Sequence, residues 1–159
     1  MFYRTYNHLR IQYSPVWNVK AVNRLARVVN SERLLLMPDK RVLCVEDDAD
    51  TRDMLKIKLG LSDLDAVVAP DMEAALRLME RERFSLYVLD GGLRGIKGPS
   101  LCEQIRASDA RTPVVIFSGH AFASDIEAGM LAGANAYLVK PDSSELISTI
   151  RRLLEAAAG

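Results

Sequence analysis

The sequence predicts an α/β fold in which a five-stranded parallel sheet is covered by helices on both faces. From residue 41 onward, five short apolar runs alternate with five segments of helical periodicity. The runs are continuously apolar, which is typical of strands buried on both faces. Strict alternation of strand and helix favours parallel strands joined by right-handed crossovers.

The predicted strands are each four residues long, and their bounds are Val42–Val45, Ala66–Ala69, Leu86–Leu89, Val114–Phe117 and Ala136–Val139. Pro113 opens the fourth run and Pro141 closes the segment after the fifth, because proline marks element boundaries. Asp48 or Asp50 is expected to cap the helix that follows the first strand.

The predicted helices carry apolar side chains three, four or seven residues apart, as expected of one face packed on a sheet. These residues are Met72, Ala75, Leu76 and Met79 in the second helix, Leu101 and Ile105 in the third, Ile126 and Met130 in the fourth, and Leu146, Ile150, Leu153 and Leu154 in the last.

Residues 1–39 form a separate, basic N-terminal extension, with six Lys or Arg against two acidic residues. The helical spacing of Val22, Leu25, Ala26 and Val29 predicts a helix over about residues 18–36. Three interpretations stay open. The extension is solvated or loosely docked; or it contacts another molecule, which is a membrane surface, a partner or nucleic acid; or the natural chain starts at Met37.

The composition excludes several classes of protein. The 21 basic and 21 acidic residues give a net charge of zero, and residues 40–159 carry four more acidic than basic residues, which argues against a nucleic-acid-binding body. No apolar stretch approaches the ~20 residues of a membrane span, and the first residues lack the pattern of a signal peptide, so we expect none. Cys44 and Cys102 lack a metal-ligand pattern and are predicted to be buried thiols, so we expect a cytoplasmic protein.

Chemically capable side chains follow four of the five predicted strands. Glu46, Asp47 and Asp48 follow the first strand, and Asp90 with two glycines follows the third. The fourth strand is followed by Ser118, and the fifth by Lys140. Parallel strands place their carboxyl ends at one edge of the sheet, where such folds bind ligands.

This set of groups predicts phosphoryl chemistry assisted by a metal. Clustered carboxylates repel one another unless a cation joins them, and Mg²⁺ prefers such hard oxygen ligands. An aspartate beside the metal is a nucleophile toward phosphorus, with Lys140 and Ser118 stabilising the charged oxygens. Gly91 and Gly92 would let the backbone approach the metal and leave room for the reacting group. Each residue alone has an ordinary structural explanation, such as a helix cap or a loop charge.

The same motifs resemble bacterial response-regulator receiver domains of the chemotaxis-type, flavodoxin-like fold. The stretch 42–48 is similar to the acidic start of that family, and 86–93 to its phospho-acceptor strand. The stretch 114–119 resembles the strand with the hydroxyl switch residue, and 133–141 the segment that ends in Lys-Pro. The resemblance covers about residues 40–156, which we predict to be the receiver domain.

The resemblance implies a phosphorelay function in which Asp90 accepts a phosphoryl group from a sensor histidine kinase or a histidine phosphotransfer protein. It implies that Mg²⁺ is held by Glu46, Asp47, Asp90 and the carbonyl of Gly92. Lys140 would contact the phosphoryl oxygens, and its bond to Pro141 would be cis.

The resemblance also implies switch roles for Ser118 and Tyr137. A receiver catalyses only its own phosphorylation and dephosphorylation, so we expect no enzymatic activity on other substrates. Two departures from the family pattern stand out: Arg94 where proline is usual, and Asp142 where an apolar residue is common. Asp142 is expected to change the packing of the final loop.

Few residues follow Leu154, so we expect a stand-alone receiver with no DNA-binding domain, whose output is a protein contact. The last two helices and the strand between them are the expected output surface and a possible homodimer interface. The alternative is a pseudo-receiver that binds proteins without phosphorylation. A nucleotide-binding protein or hydrolase on the same architecture is disfavoured, because the chain lacks the GxGxxG and GxSxG patterns.

Overall fold

A computed structural model describes residues 40–93 and 98–158 of the chain. The strands are β1 (Arg41–Val45), β2 (Asp65–Ala69), β3 (Leu86–Asp90), β4 (Val114–Ser118) and β5 (Ala136–Val139). The helices are α1 (Ala49–Gly60), α2 (Met72–Arg81), α3 (Gly98–Ser108), α4 (Ala123–Leu131) and α5 (Ser143–Ala158). The predicted extension 1–39 and Arg94 lie outside the described residues.

The five strands form one parallel sheet in the order β2-β1-β3-β4-β5, which confirms the predicted fold class. The chain leaves β1 toward β2 on one side and returns to β3 on the other, so the order reverses between β1 and β3. Val45 pairs with Leu89 across this boundary. The next residues, Glu46 and Asp90, therefore meet at the place where such sheets bind ligands.

Alternate side chains of each strand enter two separate cores, as the two-residue period of a strand requires. Leu43 and Val45 of β1 lie in the core beneath α2, α3 and α4, whereas Val42 and Cys44 lie in the core beneath α1 and α5. Every residue of β3 and β4 is buried, so these central strands form the rigid support of the site. Cys44 and Cys102 are both buried and unpaired, as predicted.

Aspartate side chains cap the N-termini of three of the described helices. Asp48 accepts a hydrogen bond from the Thr51 amide at 2.8 Å, which confirms one of the two expected caps of α1. Asp71 serves α2 in the same way. Asp142 accepts from the amides of Ser144 and Glu145 at 2.9 and 3.1 Å, so this departure from the family pattern supplies the cap of α5.

The prediction that Ile126 and Met130 of α4 pack on the sheet is wrong, because both side chains face solvent. Ile126 and Met130 are 36% and 46% exposed, and the helix instead turns the buried Gly129 toward the sheet. The backbone of α4 approaches Ile116 so closely that a larger residue at 129 would collide with it. Residues to either side of Gly129 are therefore displaced to the outer surface. None of the described helices is long and apolar enough to span a membrane.

Candidate functional site

Three carboxylates converge at the carboxyl-terminal edge of the sheet, as predicted. Glu46 and Asp47 follow β1, Asp90 ends β3, and one carboxylate oxygen from each lies within 4.8 Å of the others. Glu46 and Asp90 are only 3% and 7% exposed. Their closeness is a direct result of the parallel pairing of β1 with β3.

Lys140 brings an ammonium group to two members of this cluster. Its Nζ donates to Glu46 Oε2 at 2.6 Å and to Asp90 Oδ1 at 2.8 Å. The backbone positions the side chain, since the Lys140 amide donates to the Ser118 carbonyl at 2.8 Å beyond the end of β5. The Lys140-Pro141 bond is cis, as the resemblance implied.

The electrostatics of the site follow from burial and crowding. Burial raises the pKa of Glu46, and the nearby charge of Asp90 raises it further, although the hydrogen bond from Lys140 opposes both. For Lys140, burial lowers the pKa, but hydrogen bonds to Asp90 and Glu46 outweigh it and leave the pKa raised. The Lys140 ammonium thus bonds to two of the three clustered carboxylates. This concentration of hard oxygen donors fits a small divalent cation such as Mg²⁺.

Ser118 ends β4 and is fully buried. Its Oγ accepts a hydrogen bond from the His120 amide at 3.0 Å. The side chain lies against Gly91, where an added Cβ would be 2.3 Å from Oγ. The missing side chain of Gly91 makes room for Ser118, while its expected role in letting the backbone approach a metal stays a prediction. Gly92 lies in the same turn, and its predicted carbonyl role stays a prediction.

Tyr137 lies on β5 at the edge of the sheet and is half-buried. Its hydroxyl donates to the His120 carbonyl at 3.0 Å. The backbone of His120 therefore bonds to both predicted switch residues, through its N–H to Ser118 and through its C=O to Tyr137. The sequence indicated only a surface loop histidine here, and its ring is indeed exposed. No sequence signal marks a role carried by backbone atoms.

Arg52 is a second residue that sequence reasoning missed. It lies on α1, and its Nη1 donates to the Glu46 carbonyl at 2.8 Å. The contact fixes the turn that carries Glu46 and Asp47 to the first helix. Helical periodicity predicts on which side of α1 such a residue lies, but not that it reaches a backbone oxygen six residues earlier.

The fold and the order of the site residues along the chain match those of a known protein family. The family model for the response regulator receiver domain matches residues 42–151. The chain belongs to the response regulator receiver family. Receivers act in two-component phosphorelay signalling, in which an aspartate is phosphorylated and histidine kinases or phosphotransfer proteins are partners. They generally bind Mg²⁺ at an acidic pocket, and this receiver has an acidic cluster at the corresponding edge of its sheet.

Curated relatives of this receiver include transcriptional regulators. PrrA of Mycobacterium tuberculosis is 37% identical over 115 residues, which are 72% of this chain and 49% of that protein. The probable transcriptional regulator ycf27 of Porphyridium aerugineum is 32% identical over 119 residues, or 74% of this chain and 49% of that protein. The chain thus spans about half the length of these relatives.

Solved receiver structures match the described fold. The receiver domain of Francisella response regulator 1452 has a TM-score of 0.68 and 30% identity, covering 73% of this chain and 97% of that one. A CheY-like receiver protein from Methanospirillum hungatei has a TM-score of 0.70 and 26% identity, covering 74% and 95%. Thermotoga maritima TrrA, solved in complex with Mg²⁺-BeF, has a TM-score of 0.64 and 26% identity, covering 71% and 97%.

Proposed function

We propose that this receiver accepts a phosphoryl group on Asp90 from a histidine kinase or a histidine phosphotransfer protein, in a reaction that requires Mg²⁺. The observation that carries the proposal is the Lys140 ammonium, hydrogen-bonded to both Glu46 and Asp90 inside a cluster of three carboxylates. Three carboxylates gathered at one edge of the sheet are hard oxygen donors for a divalent cation, and the cation and Lys140 together would offset the charge of a phosphoryl group.

The reaction forms a P–O bond to Asp90 and breaks the P–N bond to the donor histidine, whose imidazole leaves with the bonding pair and takes up a proton. Asp90 Oδ1 already accepts from Lys140, so the other oxygen is the proposed nucleophile. Mg²⁺, held by Glu46, Asp47, Asp90 and the Gly92 carbonyl, would supply positive charge to the phosphoryl oxygens.

Lys140 and Ser118 have distinct proposed roles. Lys140 lies 2.8 Å from Asp90, so a short movement brings its ammonium to a phosphoryl oxygen. Ser118 must release the His120 amide before its hydroxyl can turn to the phosphoryl group. The His120 carbonyl also accepts from Tyr137, so His120 is bonded to both switch residues. Loss of the bond to Ser118 would therefore shift the balance between two conformations of the loop that carries His120. Hydrolysis by water then returns inorganic phosphate and the Asp90 carboxylate, and no other substrate is needed.

The proposed output surface comprises α4, β5 and α5. Its exposed large apolar residues are Phe122, Ile126, Met130, Leu131 and Val139. Such a cluster is typical of a protein contact, which includes a second copy of the receiver. That the receiver is stand-alone, lacks a DNA-binding domain and acts in the cytoplasm stays a prediction from the sequence.

The deciding experiment is incubation with acetyl phosphate and Mg²⁺, followed by intact-mass measurement. We expect one phosphoryl adduct on the natural protein, none after Asp90→Asn, and none when EDTA replaces free Mg²⁺. An adduct that persists in Asp90→Asn assigns the phosphoryl group elsewhere. No adduct and no response to beryllofluoride on the natural protein would favour the pseudo-receiver.

A further inference from the structure

Helix α4 contains a buried glycine, Gly129, in its interior. Glycine is the weakest helix former after proline, because it loses the most backbone entropy. Its φ angle is an ordinary one, so the backbone at this position does not require glycine. The reason for glycine must therefore lie in what packs against it.

The space beside Gly129 is filled by two side chains from the sheet. A Cβ at this position would lie 2.8 Å from Tyr137 Cδ2 and 2.9 Å from Ile116 Cδ1. Carbon atoms in contact lie about 3.5 to 4.0 Å apart, so at least one of these side chains must shift if a larger residue replaces Gly129. The Tyr137 ring consequently rests against the helix backbone.

The two neighbours differ in their freedom to move. Ile116 belongs to the central strand β4 and is fully buried. Tyr137 is half-buried on β5, the last strand of the sheet, and has a path to solvent. An alanine at 129 would therefore drive the tyrosine ring outward more readily than it would move Ile116. Outward rotation breaks the hydrogen bond from the Tyr137 hydroxyl to the His120 carbonyl.

We propose that Gly129 is a positioning residue that forms a slot for the Tyr137 ring and so holds the 119–122 loop before phosphorylation. The inference rests on the proposed coupling of Tyr137 to the phosphorylated site. We define the inward ring as the position against Gly129 and Ile116, and with the ring already there phosphorylation needs to move Ser118 only. Thermodynamic linkage is reciprocal: if phosphorylation favours the inward ring by some factor, the inward ring favours phosphorylation by that factor. A substitution that excludes the inward ring must therefore weaken the binding of a phosphoryl mimic.

The test compares Gly129→Ala with Gly60→Ala. Gly60 ends α1, and an added Cβ there meets nothing within 4 Å, so it is a matched helical control. In Gly129→Ala we expect loss of the nuclear Overhauser contact between the Tyr137 ring and the Ile116 δ-methyl. The affinity for beryllofluoride with Mg²⁺ should fall about tenfold. Gly60→Ala should keep the natural contact and affinity.

A double-mutant cycle shows whether Gly129 acts through Tyr137. In a Tyr137→Ala background only the Ile116 δ-methyl, the end of a flexible side chain, remains close to the new Cβ, so adding Gly129→Ala should not change the affinity further. A tenfold loss in that background, or a retained ring contact in Gly129→Ala, would overturn the proposal. If Gly129→Ala alone fails to fold, the double variant should fold; failure of both places the clash elsewhere and also overturns it. If the natural protein ignores beryllofluoride, the proposed function fails, and the ring contact alone decides the slot.

Discussion

The two ends of the sheet differ in the number of hydrogen-bond donors that surround their carboxylates. At the amino-terminal end, Asp109 accepts hydrogen bonds from the Tyr87 hydroxyl and from the amides of Arg111 and Thr112, each at 3.0 Å. Burial alone would raise the pKa of Asp109, but the hydrogen bonds from Thr112, Arg111 and Tyr87 lower it to about 2. One carboxylate there meets three donors.

Arg106 completes the same end of the molecule. Its guanidinium donates to the carbonyls of Gly133 and Thr112 at 3.0 and 2.8 Å and to Asn135 Oδ1 at 2.9 Å. Asn135 Oδ1 also accepts from the Val114 amide, so the loops before β4 and β5 are joined. Each polar side chain named at this end has its partners among the described residues. At the carboxyl-terminal end Lys140 bonds to two of three clustered carboxylates, and this concentration of hard oxygen donors fits an added cation.

The largest expected effect on stability is that of Lys140→Met in metal-free protein. The substitution keeps the length of the side chain but leaves Glu46 and Asp90 without their shared donor. We expect the free energy of unfolding to fall by about 3 kcal/mol. Mg²⁺ should restore part of the loss, since a cation replaces the missing charge. Urea unfolding with and without Mg²⁺ measures both effects. Lys58→Met removes an exposed hydrogen bond to Ser143 and is the control, with an expected loss below about 0.5 kcal/mol. Equal losses would contradict the comparison.

Asp109→Asn should have the next largest effect, a loss of about 1 to 2 kcal/mol. The amide keeps the shape but weakens acceptance from the two backbone donors and from Tyr87. Urea unfolding again measures it, and added Mg²⁺ should give no recovery. Tyr87→Phe, which removes one donor only, should lose about 1 kcal/mol or less. A Mg²⁺-dependent recovery in Asp109→Asn would break the distinction between the two ends.

The two ends should also respond to pH with opposite signs. The folded pKa of Asp109, about 2, lies below its ordinary value of 3.8, so its contribution is present above pH 3.8 and is lost as the pH falls toward 2. The pKa of Glu46 is raised above 4.5, so its contribution is present below pH 4.5 and is lost as the pH rises through the folded pKa. Unfolding of metal-free protein should thus show two limbs: Asp109→Asn should flatten the acidic one and Glu46→Gln the other. Limbs that both survive these substitutions would contradict the assignment.

Asp47→Asn should give the smallest change in the metal-free protein, within about 0.5 kcal/mol, because the amide keeps the shape of the side chain. The same variant should bind Mg²⁺ more weakly, so Mg²⁺ should stabilise it less than it stabilises the natural protein. Thermal unfolding across a Mg²⁺ titration measures both stabilities. Equal stabilisation of the two proteins by Mg²⁺ would contradict the proposed metal site.

The sequence predicted most of the fold because its signals are local. Each apolar run became a strand, extended by no more than one residue at either end, as for Leu86–Asp90. The convergence of Glu46, Asp90 and Lys140 was also predictable, since strand order in a parallel α/β sheet places strand ends together. The direction of the α4 face was not, because Ile126 and Met130 have helical spacing whether they face the core or solvent. Only the packing of Gly129 on Ile116 decides it.

Contacts made by the backbone were beyond prediction as well. Nothing in the residue types shows that His120 binds Ser118 and Tyr137 through its amide and carbonyl, since every residue but proline carries these groups. The contact of Gly91 with Ser118 was missed for a similar reason. A glycine indicates that something approaches closely, but it does not say whether that is a metal or the Ser118 side chain.

The ammonium of Lys140 joins residues that are far apart in the order of synthesis. It lies 94 residues after Glu46 and 50 after Asp90, beyond the last strand of the sheet. A nascent chain on the ribosome has both carboxylates long before it has the lysine. Because the proposed transfer uses Lys140, an unfinished or truncated chain without it should not compete for the kinase's phosphoryl group. Only molecules that have been translated beyond β5 would then accept the phosphoryl group.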